Sequence, residues 1–277
     1  MSKEVRKELK IIPAQVKVVE HVRYVYTCRQ CEKENTKTPV ITAKMPKPVM
    51  PGSFVSPSLL AFIMDKKYAQ AMPLYRQEKQ FINFRIDISR QNMANWVLHG
   101  SNTWLKLLYD RMHVFLLKKS VLNADETPMQ VLDEPGRSAK SKSYMWLYAT
   151  GINSDKQIFL YDYQPSRANK HPKNFLTGFS GFLQTDGYIG YNAVENVTLI
   201  GCFAHARRYF NDALKALPKE SIVSKTTAGI GLEYCNKSFK IEKDLKDLKS
   251  HKRYEIRLER SKPVLDDYFG LFLILCG

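Results

Sequence analysis

Two aspartates stand directly after apolar runs that are typical of buried strands. Asp125 lies in the segment NADET, and Asp186 lies in the segment QTDGY. A carboxylate beside a turn at the end of a strand can project into a cleft, and two such carboxylates provide the hard oxygen ligands that Mg²⁺ or Mn²⁺ prefers. In two-metal phosphoryl transfer, one ion activates the attacking oxygen and the other stabilises the leaving oxygen. The alternative is that each aspartate only caps a turn, as Asp readily does.

Cysteine and histidine provide two further candidate ligand pairs. Cys28 and Cys31 have the spacing of one half of a zinc site, but no other Cys or His pair nearby completes a tetrahedron. Cys202 and His205 are also three residues apart, and they too supply only two ligands. The simpler interpretation of this second pair is that the cysteine is buried and that the histidine orients backbone or DNA. Zinc is the metal that Cys28 and Cys31 could bind, and we expect the site to be incomplete.

The charge of the chain predicts a polyanionic partner. The 277 residues contain 43 Lys and Arg against 27 Asp and Glu, which leaves a formal charge of +16 at pH 7. Nucleic acid is the first candidate and a membrane surface the second. The composition, with 44% hydrophobic residues, is that of a globular protein. No apolar stretch approaches the roughly 18–20 residues that cross a bilayer, and the start lacks a signal sequence. We therefore expect a cytoplasmic, nucleoid-associated protein without a membrane partner.

Seven polar side chains are candidates for contacts with double-stranded DNA. Three of them follow Ser89, a predicted helix N-cap, so that they would stand where side chains can reach phosphates and base edges. Arginines are favoured because a guanidinium binds phosphate bidentately. An exposed, solvated helix face is the competing interpretation. The candidates are Arg76, Arg90, Gln91, Asn92, His205, Arg207 and Arg208.

The elements that must position these residues fall into three predicted domains. Residues 1–50 hold the cysteine pair, an alternating apolar pattern over 11–28 that predicts a β-hairpin, and a Pro-rich linker. Residues 51–118 show helical spacing, with a short helix, a turn and a third helix from Ser89 towards Leu105 that together resemble a helix-turn-helix. Any small helical bundle could produce the same pattern.

Residues 119–277 form the third predicted domain, a mixed α/β sheet with flanking helices. We expect one helix after Pro165 and another from Ala206 to Leu217. Five runs read as strands: Val121–Asp125, Tyr144–Thr150, Gln157–Tyr163, Gly181–Thr185 and Val197–Cys202.

Several motifs in order resemble the transposase of the insertion-sequence-sixty-six family, a DDE-type group. The runs ADET, GFLQTDGYIGY and GCFAHARRYF carry the resemblance, and PLYRQEKQF and ISRQNMANWV resemble the family's helix-turn-helix region. The likeness extends from about Ile12 to about Asp267. It implies a ribonuclease-H-like catalytic domain, magnesium dependence, DNA strand cutting and joining, and a homo-oligomer on DNA. Asp125 and Asp186 would then be the first and second catalytic acids, and Cys28 and Cys31 the remnant of a zinc ribbon.

The chain departs from that family beyond Asp186. The third acid of the family lies in a D-N-N-x-x-E-R-like run, and none occurs between Asp186 and Gly277. We read Glu233, Glu242, Glu255 and Glu259 as solvated helix charges with i, i+4 partners. The apolar end FGLFLILCG favours a truncated copy with impaired catalysis.

Two alternatives to an impaired transposase stay open. One is a remnant that binds DNA without catalysing a reaction. The other is a nuclease that recruits its last acid from the segment between Glu255 and Asp267.

Overall fold

The computed structural model describes residues 5–11, 15–34, 37–152, 154–218 and 226–276, with side chains described as far as Gly270. The chain divides into two compact units, Met1–Leu108 and Tyr109–Gly277. Each unit is described by itself below. The three predicted domain boundaries stay predictions.

The cysteine pair lies between two short strands of the first unit. Strand β1 (Val25–Thr27) pairs antiparallel with β2 (Val40–Thr42), and the five-residue helix α1 (Arg29–Lys33) lies between them in the chain. The hairpin predicted within residues 11–28 is therefore only partly present, because β1 lies inside that range but its partner β2 follows the cysteines. Residues 15–24 contain no strand, and 12–14 lie outside the described residues. A strand needs a neighbouring strand for its backbone hydrogen bonds, and among the described residues of this run only Val25–Thr27 have one.

Helices make up the rest of the first unit, as predicted. They are α2 (Pro57–Tyr68), α3 (Leu74–Asn83) and α4 (Arg90–Gly100). The side chains of Ser56 and Ser89 accept hydrogen bonds from the first turns of α2 and α4, which fixes where these helices begin. Their core contains the fully buried side chains of Ile63, Phe81, Ile88 and Met93.

The helix predicted to end near Leu105 continues further. A π-helical turn (Ser101–Leu105) follows α4 and leads into α5 (Lys106–Leu116). No proline or glycine after Gly100 stops the helix, so the helical hydrogen bonding continues to Leu116.

A five-stranded mixed sheet organises the second unit, which confirms the α/β prediction. The strands are β3 (Val121–Gln130), β4 (Lys142–Thr150), β5 (Phe159–Gln164), β6 (Gly181–Thr185) and β7 (Val197–Gly201). Their order across the sheet is β5-β4-β3-β6-β7. The β3–β4 and β4–β5 pairs are antiparallel, whereas β6 is parallel to β3 and β7 is parallel to β6.

The helices of the second unit begin with α6 (Lys170–Phe175) and α7 (Phe203–Lys215), both predicted. Beyond these lie α8 (Thr227–Asp244), α9 (Ser250–Ile256), a π-helical turn (Arg257–Ser261) and α10 (Lys262–Cys276). Among the described residues, no helix combines the length and apolar character that a membrane crossing requires.

One face of the sheet carries the core of this unit. Side chains on successive strand residues point to opposite faces, so Leu122 and Ala124 are buried while Asn123 and Asp125 face the other side. Leu183 and Tyr191 complete the buried layer, and both are fully inaccessible to solvent. The core thus fixes the strands from which the two candidate acids project.

Candidate functional site

The two predicted acids follow the last paired residues of two neighbouring parallel strands. Asn123 of β3 pairs with Gln184 of β6, and Asp125 and Asp186 each lie two residues further along the chain. Asp186 is the first residue after β6, as predicted, whereas β3 continues to Gln130, so the prediction that this strand ends at Asp125 is wrong. Both acids line one cleft although 60 residues of chain separate them.

A third residue extends this row. Thr185 pairs with Gly201 of β7, and the carbonyl oxygen of Thr185 accepts a 2.7 Å hydrogen bond from the backbone N–H of Cys202. Cys202 thus stands beside Asp186 at the carboxyl end of β7. In open α/β sheets this edge of the strands is where ligands bind.

A cleft of about 1160 Å³ opens over the row. Both acids line it, with the amide side chains that precede them in each strand. A helix contributes on the far side, because Phe239 and Glu242 of α8 also line the cleft. The polar and charged lining residues are Lys119, Ser120, Asn123, Asp125, Ser154, Asp155, Gln184, Thr185, Asp186, Cys202, His205 and Glu242.

Asp186 is held more tightly than Asp125. Its side chain is 19% exposed, and its Oδ1 accepts a 2.9 Å hydrogen bond from the backbone N–H of Tyr188. Gly187 between them has a φ of +96°, which favours glycine. Asp186 therefore does cap a turn, as the alternative interpretation held. The bond uses one carboxylate oxygen of Asp186, while Asp125 is exposed and accepts a 3.0 Å hydrogen bond from the backbone N–H of Glu126.

A buried charged network lies behind Asp186. Glu126, which points to the core face, has a side chain that is 1% exposed. Its Oε1 accepts hydrogen bonds from Nε and Nη2 of Arg167, and its Oε2 accepts a 2.6 Å bond from the hydroxyl of Tyr191. Nη2 of Arg167 also lies 3.9 Å from Oδ2 of Asp186. The network thus connects a fully paired buried carboxylate with one of the two candidate acids.

The pKa values in this network follow from burial and from the charge of Glu126. Burial raises the pKa of the Tyr191 hydroxyl well above its usual range, and its bond to Glu126 adds to the shift. Burial alone would lower the pKa of Arg167, but its hydrogen bonds and charge attraction to Glu126 outweigh that and raise it. Both groups therefore keep their protons, and Arg167 remains a cation.

The acid pair fits a divalent cation in chemistry and number. Among the described residues there is no group of three or more His, Cys, Asp or Glu side chains that could hold a metal ion. Mg²⁺ nevertheless commonly binds through one or two carboxylates and completes its octahedron with water and substrate phosphates. Two carboxylates in register on one cleft match that mode of binding.

The predicted thiol pair is exposed to solvent in part. Cys28 caps α1, and both Cys28 and Cys31 are half-buried. Hydrogen bonds from the backbone and thiol of Cys31, and from the backbone of Gln30, lower the pKa of the Cys28 thiol. A thiolate is the form that binds zinc, so the pair fits half of a zinc site.

Cys202 and His205 line the acid cleft. Nδ1 of His205 is buried and has no hydrogen-bond partner among the described residues. The pair alone supplies two ligands, so it does not make a zinc site.

The two arginines that follow His205 differ. Nε of Arg207 donates a 2.7 Å hydrogen bond to Oδ1 of Asn236 and so joins α7 to α8. Arg208 is exposed on the same helix. Arg207 is exposed as well, so both predicted phosphate contacts are accessible to solvent.

The four predicted DNA contacts of the first unit are all exposed. The amide of Gln91 bonds to that of Asn95 at 3.1 Å, and Nε of Arg76 donates to the hydroxyl of Tyr75 at 3.0 Å. The backbone N–H of Arg90 donates to Glu78 at 2.8 Å. An acid therefore already occupies one N–H of α4, and contacts with DNA must come mainly from side chains such as those of Arg90 and Asn92.

Two functional residues were missed by the sequence analysis. Glu126 follows Asp125 directly, and its burial could have been inferred from the alternation along β3. Nothing in the sequence near Arg167 signals its role, because its partner lies 41 residues away.

Glu242 was predicted to be a solvated charge with an i, i+4 partner. Its side chain is 43% exposed, as predicted, but it lines the acid cleft and its partner is Arg257, at 2.6 and 2.8 Å. The two residues are 15 positions apart, on different helical segments. The prediction holds for Glu233, which pairs with Lys237 four residues on.

Comparison with known sequences agrees with this arrangement. The sequence model of the Transposase IS66 family matches residues 52–273, and that of the zinc-finger binding domain of transposase IS66 matches residues 1–32. Three similar proteins from Sinorhizobium fredii (strain NBRC 101917 / NGR234) are named uncharacterized proteins y4jD, y4hP and y4qI.

These relatives are 30%, 29% and 27% identical to the chain, over 93%, 96% and 95% of its length. The matches cover 50%, 50% and 49% of the relatives, so the chain spans about half the length of the curated relatives it matches. The family model for the transposase spans most of the chain, including both acids, Arg167 and His205. The chain therefore belongs to the Transposase IS66 family.

Proposed function

We propose that this chain is the DNA-binding and acid-bearing part of a transposase that cuts and joins DNA by divalent-cation-dependent phosphoryl transfer. The observation that carries the proposal is that Asp125 and Asp186, which follow the paired residues Asn123 and Gln184 of β3 and β6, line one cleft. The ribonuclease-H-like interpretation is part of the proposal. A mixed sheet with flanking helices and two acids on adjacent strands supports it.

Each acid has a distinct part in this proposal. Asp186, with Oδ1 held by the N–H of Tyr188, leaves Oδ2 as its second donor. Asp125 is exposed and can adjust its side chain to a cation or a phosphate. Mg²⁺ or Mn²⁺ bound there would supply Lewis-acid activation of the attacking oxygen and stabilisation of the leaving oxygen.

The chain by itself is proposed to lack strand-joining activity. Phosphoryl transfer in this group is expected to need a third carboxylate, and the chain holds no D-N-N-x-x-E-R-like run after Asp186. Glu242 lines the cleft but accepts hydrogen bonds from Nε and Nη2 of Arg257. Loss of one ligand from a two-metal site is expected to cost roughly a thousandfold or more in rate.

DNA binding is proposed to use both units. In the first unit, α3 and α4 with the turn between them are the candidate helix-turn-helix, and Arg90 and Asn92 are exposed at the start of α4. In the second unit, Arg208 is exposed on α7, which begins beside the acid row. Phosphate contacts by these cations make binding weaken as salt rises.

The match to a zinc-finger domain supports zinc as a ligand of Cys28 and Cys31. These two thiols are half of a tetrahedral set, so we expect less than one zinc ion per purified chain. Assembly into a homo-oligomer on DNA and association with the nucleoid also belong to the proposal.

Iron-directed DNA cleavage tests the proposal without requiring strand joining. Fe²⁺ replaces Mg²⁺ on oxygen ligands, and with ascorbate and peroxide it generates hydroxyl radicals that cut DNA bound close to the ion. We expect cuts localised on a bound duplex with the unaltered chain, and no localised cuts with Asp125→Asn or Asp186→Asn. Identical patterns from the unaltered chain and both variants would refute the acid site.

The second candidate function, a DNA-binding protein without catalysis, is favoured by the missing third acid. The same experiment separates it, because a protein that only binds DNA would protect the duplex without localising the cuts. A gel-shift affinity that is insensitive to salt would contradict DNA binding by phosphate contacts in either case. Magnesium-dependent joining of DNA by the chain alone would contradict the proposed lack of activity.

A further inference from the structure

Asp186 differs from Asp125 in having a charged network behind it. The network consists of Glu126, Arg167, Tyr188 and Tyr191, and none of the four lines the cleft. They therefore do not reach a ligand in the cleft directly, and any effect on such a ligand passes through Asp186.

Glu126 and the ring of Tyr188 fix the guanidinium of Arg167, and a third contact holds its backbone. Glu126 accepts from its Nε at 2.7 Å and from its Nη2. The ring of Tyr188 stacks on the guanidinium at 3.8 Å, and the Tyr188 hydroxyl donates a 2.5 Å hydrogen bond to the backbone carbonyl of Arg167. A side chain that is 41% exposed is thus held in one place, with Nη2 3.9 Å from Oδ2 of Asp186.

Asp186 is in turn held by a hydrogen bond at one oxygen and faces a cation at the other. Tyr188 donates its backbone N–H to Oδ1 while its ring supports Arg167, which lies next to Oδ2. One tyrosine therefore sets the positions of both groups that face the carboxylate. The Arg167 guanidinium could compete with a metal ion for Asp186, but Glu126 neutralises its charge. Its main effect is therefore to orient the carboxylate of Asp186.

From these contacts we propose that Arg167, held by Glu126, is a positioning residue for the carboxylate of Asp186 in divalent-cation binding. This rests on the proposed function, because it assumes that Asp186 is a ligand. Groups that hold a metal ligand from behind commonly change metal affinity about 10- to 100-fold when they are replaced.

The second unit contains a matched control. Glu134 is also paired with an arginine and a tyrosine, through a 2.7 Å bond from Arg137 and a 2.6 Å bond from Tyr163. Neither Glu134 nor Arg137 lines the acid cleft. Arg137→Lys thus perturbs a similar group of an arginine, a glutamate and a tyrosine, while Asp125 and Asp186 stay unchanged.

The test is a Mn²⁺ titration of the purified chain, followed by water-proton relaxation well below the melting temperature of each variant. Arg167→Lys keeps the charge but loses the fork that contacts Glu126 and Asp186 together. We expect it to weaken Mn²⁺ binding about tenfold or more, and Arg137→Lys to stay within about twofold of the unaltered chain. If Arg167→Lys does not fold, Glu126→Gln carries the same expectation.

Each outcome bears on one claim. Binding that is lost in Asp125→Asn but equal in Arg167→Lys, Arg137→Lys and the unaltered chain would overturn the positioning role alone. No Mn²⁺ binding by the unaltered chain would overturn the proposed acid site and this inference together. A fall in melting temperature without a change in affinity would show that Arg167 is only structural.

Discussion

The two candidate metal-binding pairs of this chain are built on very different supports. Asp125 and Asp186 project from adjacent strands whose other faces carry Leu122 and Leu183, both fully buried. Cys28 stands at the N-cap position of a five-residue helix that contains Cys31 and has no buried residue, between two strands that are exposed throughout.

The fold itself therefore positions the acid pair, whereas a bound metal would have to bring the ligands of the thiol site together. Strand register and a packed core set the acids before any ligand arrives, which lowers the entropic cost of binding. The thiols have only local hydrogen bonds, and in small zinc domains metal binding itself provides the folding energy. The acid pair should therefore depend on the core, and the thiol pair should not.

The largest effect is expected from a substitution in the core that supports the acid pair. Leu183→Ala in β6 removes a fully buried side chain three residues before Asp186, which should cost about 2–5 kcal/mol. Val25→Ala in β1 changes a side chain that is 57% exposed and should cost less than about 0.5 kcal/mol. Hydrogen exchange of the β3 and β6 amides measures the first effect. Equal protection in the two variants would mean that the core does not hold the acid strands.

The next prediction compares the rate of thiol modification at Cys28 with the rate at a cysteine in the core. Hydrogen bonds from Cys31 lower the pKa of Cys28, whereas burial raises the pKa of Cys235, which is fully inaccessible to solvent. With EDTA present, iodoacetamide should modify Cys28 at least about tenfold faster than Cys235 at mildly alkaline pH, because the thiolate is the reactive form. Peptide mass spectrometry measures both rates, and urea should bring them together. Similar rates in the folded chain would contradict the exposed setting of the thiol pair.

The smallest effect is a pH dependence within the acid-bearing unit. His171 is 7% exposed, and its Nε2 lies 2.8 Å from Oγ of Ser166, the residue before Arg167. Burial lowers its pKa, and the charge of Lys170 adds to the shift. The unfolded chain therefore takes up a proton below about pH 6.5 that the folded chain resists, so stability should fall as pH drops through that range.

Thermal unfolding of the unaltered chain and of His171→Gln at about pH 7.5 and about pH 5.5 measures this contribution. The variant should lose less stability on acidification than the unaltered chain. An equal or larger loss in the variant would show that His171 does not contribute to the pH dependence.

The strands that bear the acids could be predicted from the sequence, because the alternation of buried and exposed residues and the turn residues that follow are visible within a few positions. Asp186 was correctly placed directly after a strand, whereas β3 continues past Asp125 to Gln130, so that Asp125 lies in mid-strand. Their register was not encoded locally, since it depends on how β3 and β6 pair across 60 residues. The partner of Glu126 was missed for the same reason. Arg167 reaches it from a loop after β5.

The wrong predictions also have a physical cause. Of the alternating residues before Cys28, only Val25–Thr27 have a strand to pair with among the described residues. Glu242 is exposed, as the lysines and aspartate around it suggested, but its partner is Arg257, which lies 15 residues away rather than four. Both results depend on contacts between residues that are distant in sequence.

The central claim is that Asp125 and Asp186 share one divalent cation, and a double-mutant cycle of Mn²⁺ affinity tests it most directly. Asp155→Asn, on the rim of the same cleft, and Cys28→Ser serve as controls and should bind as the unaltered chain does. Asp125→Asn and Asp186→Asn should each weaken binding severely, and the double variant should be little worse than either, because both remove ligands of one ion. Two independent, additive losses, or normal binding by either single variant, would contradict the shared site.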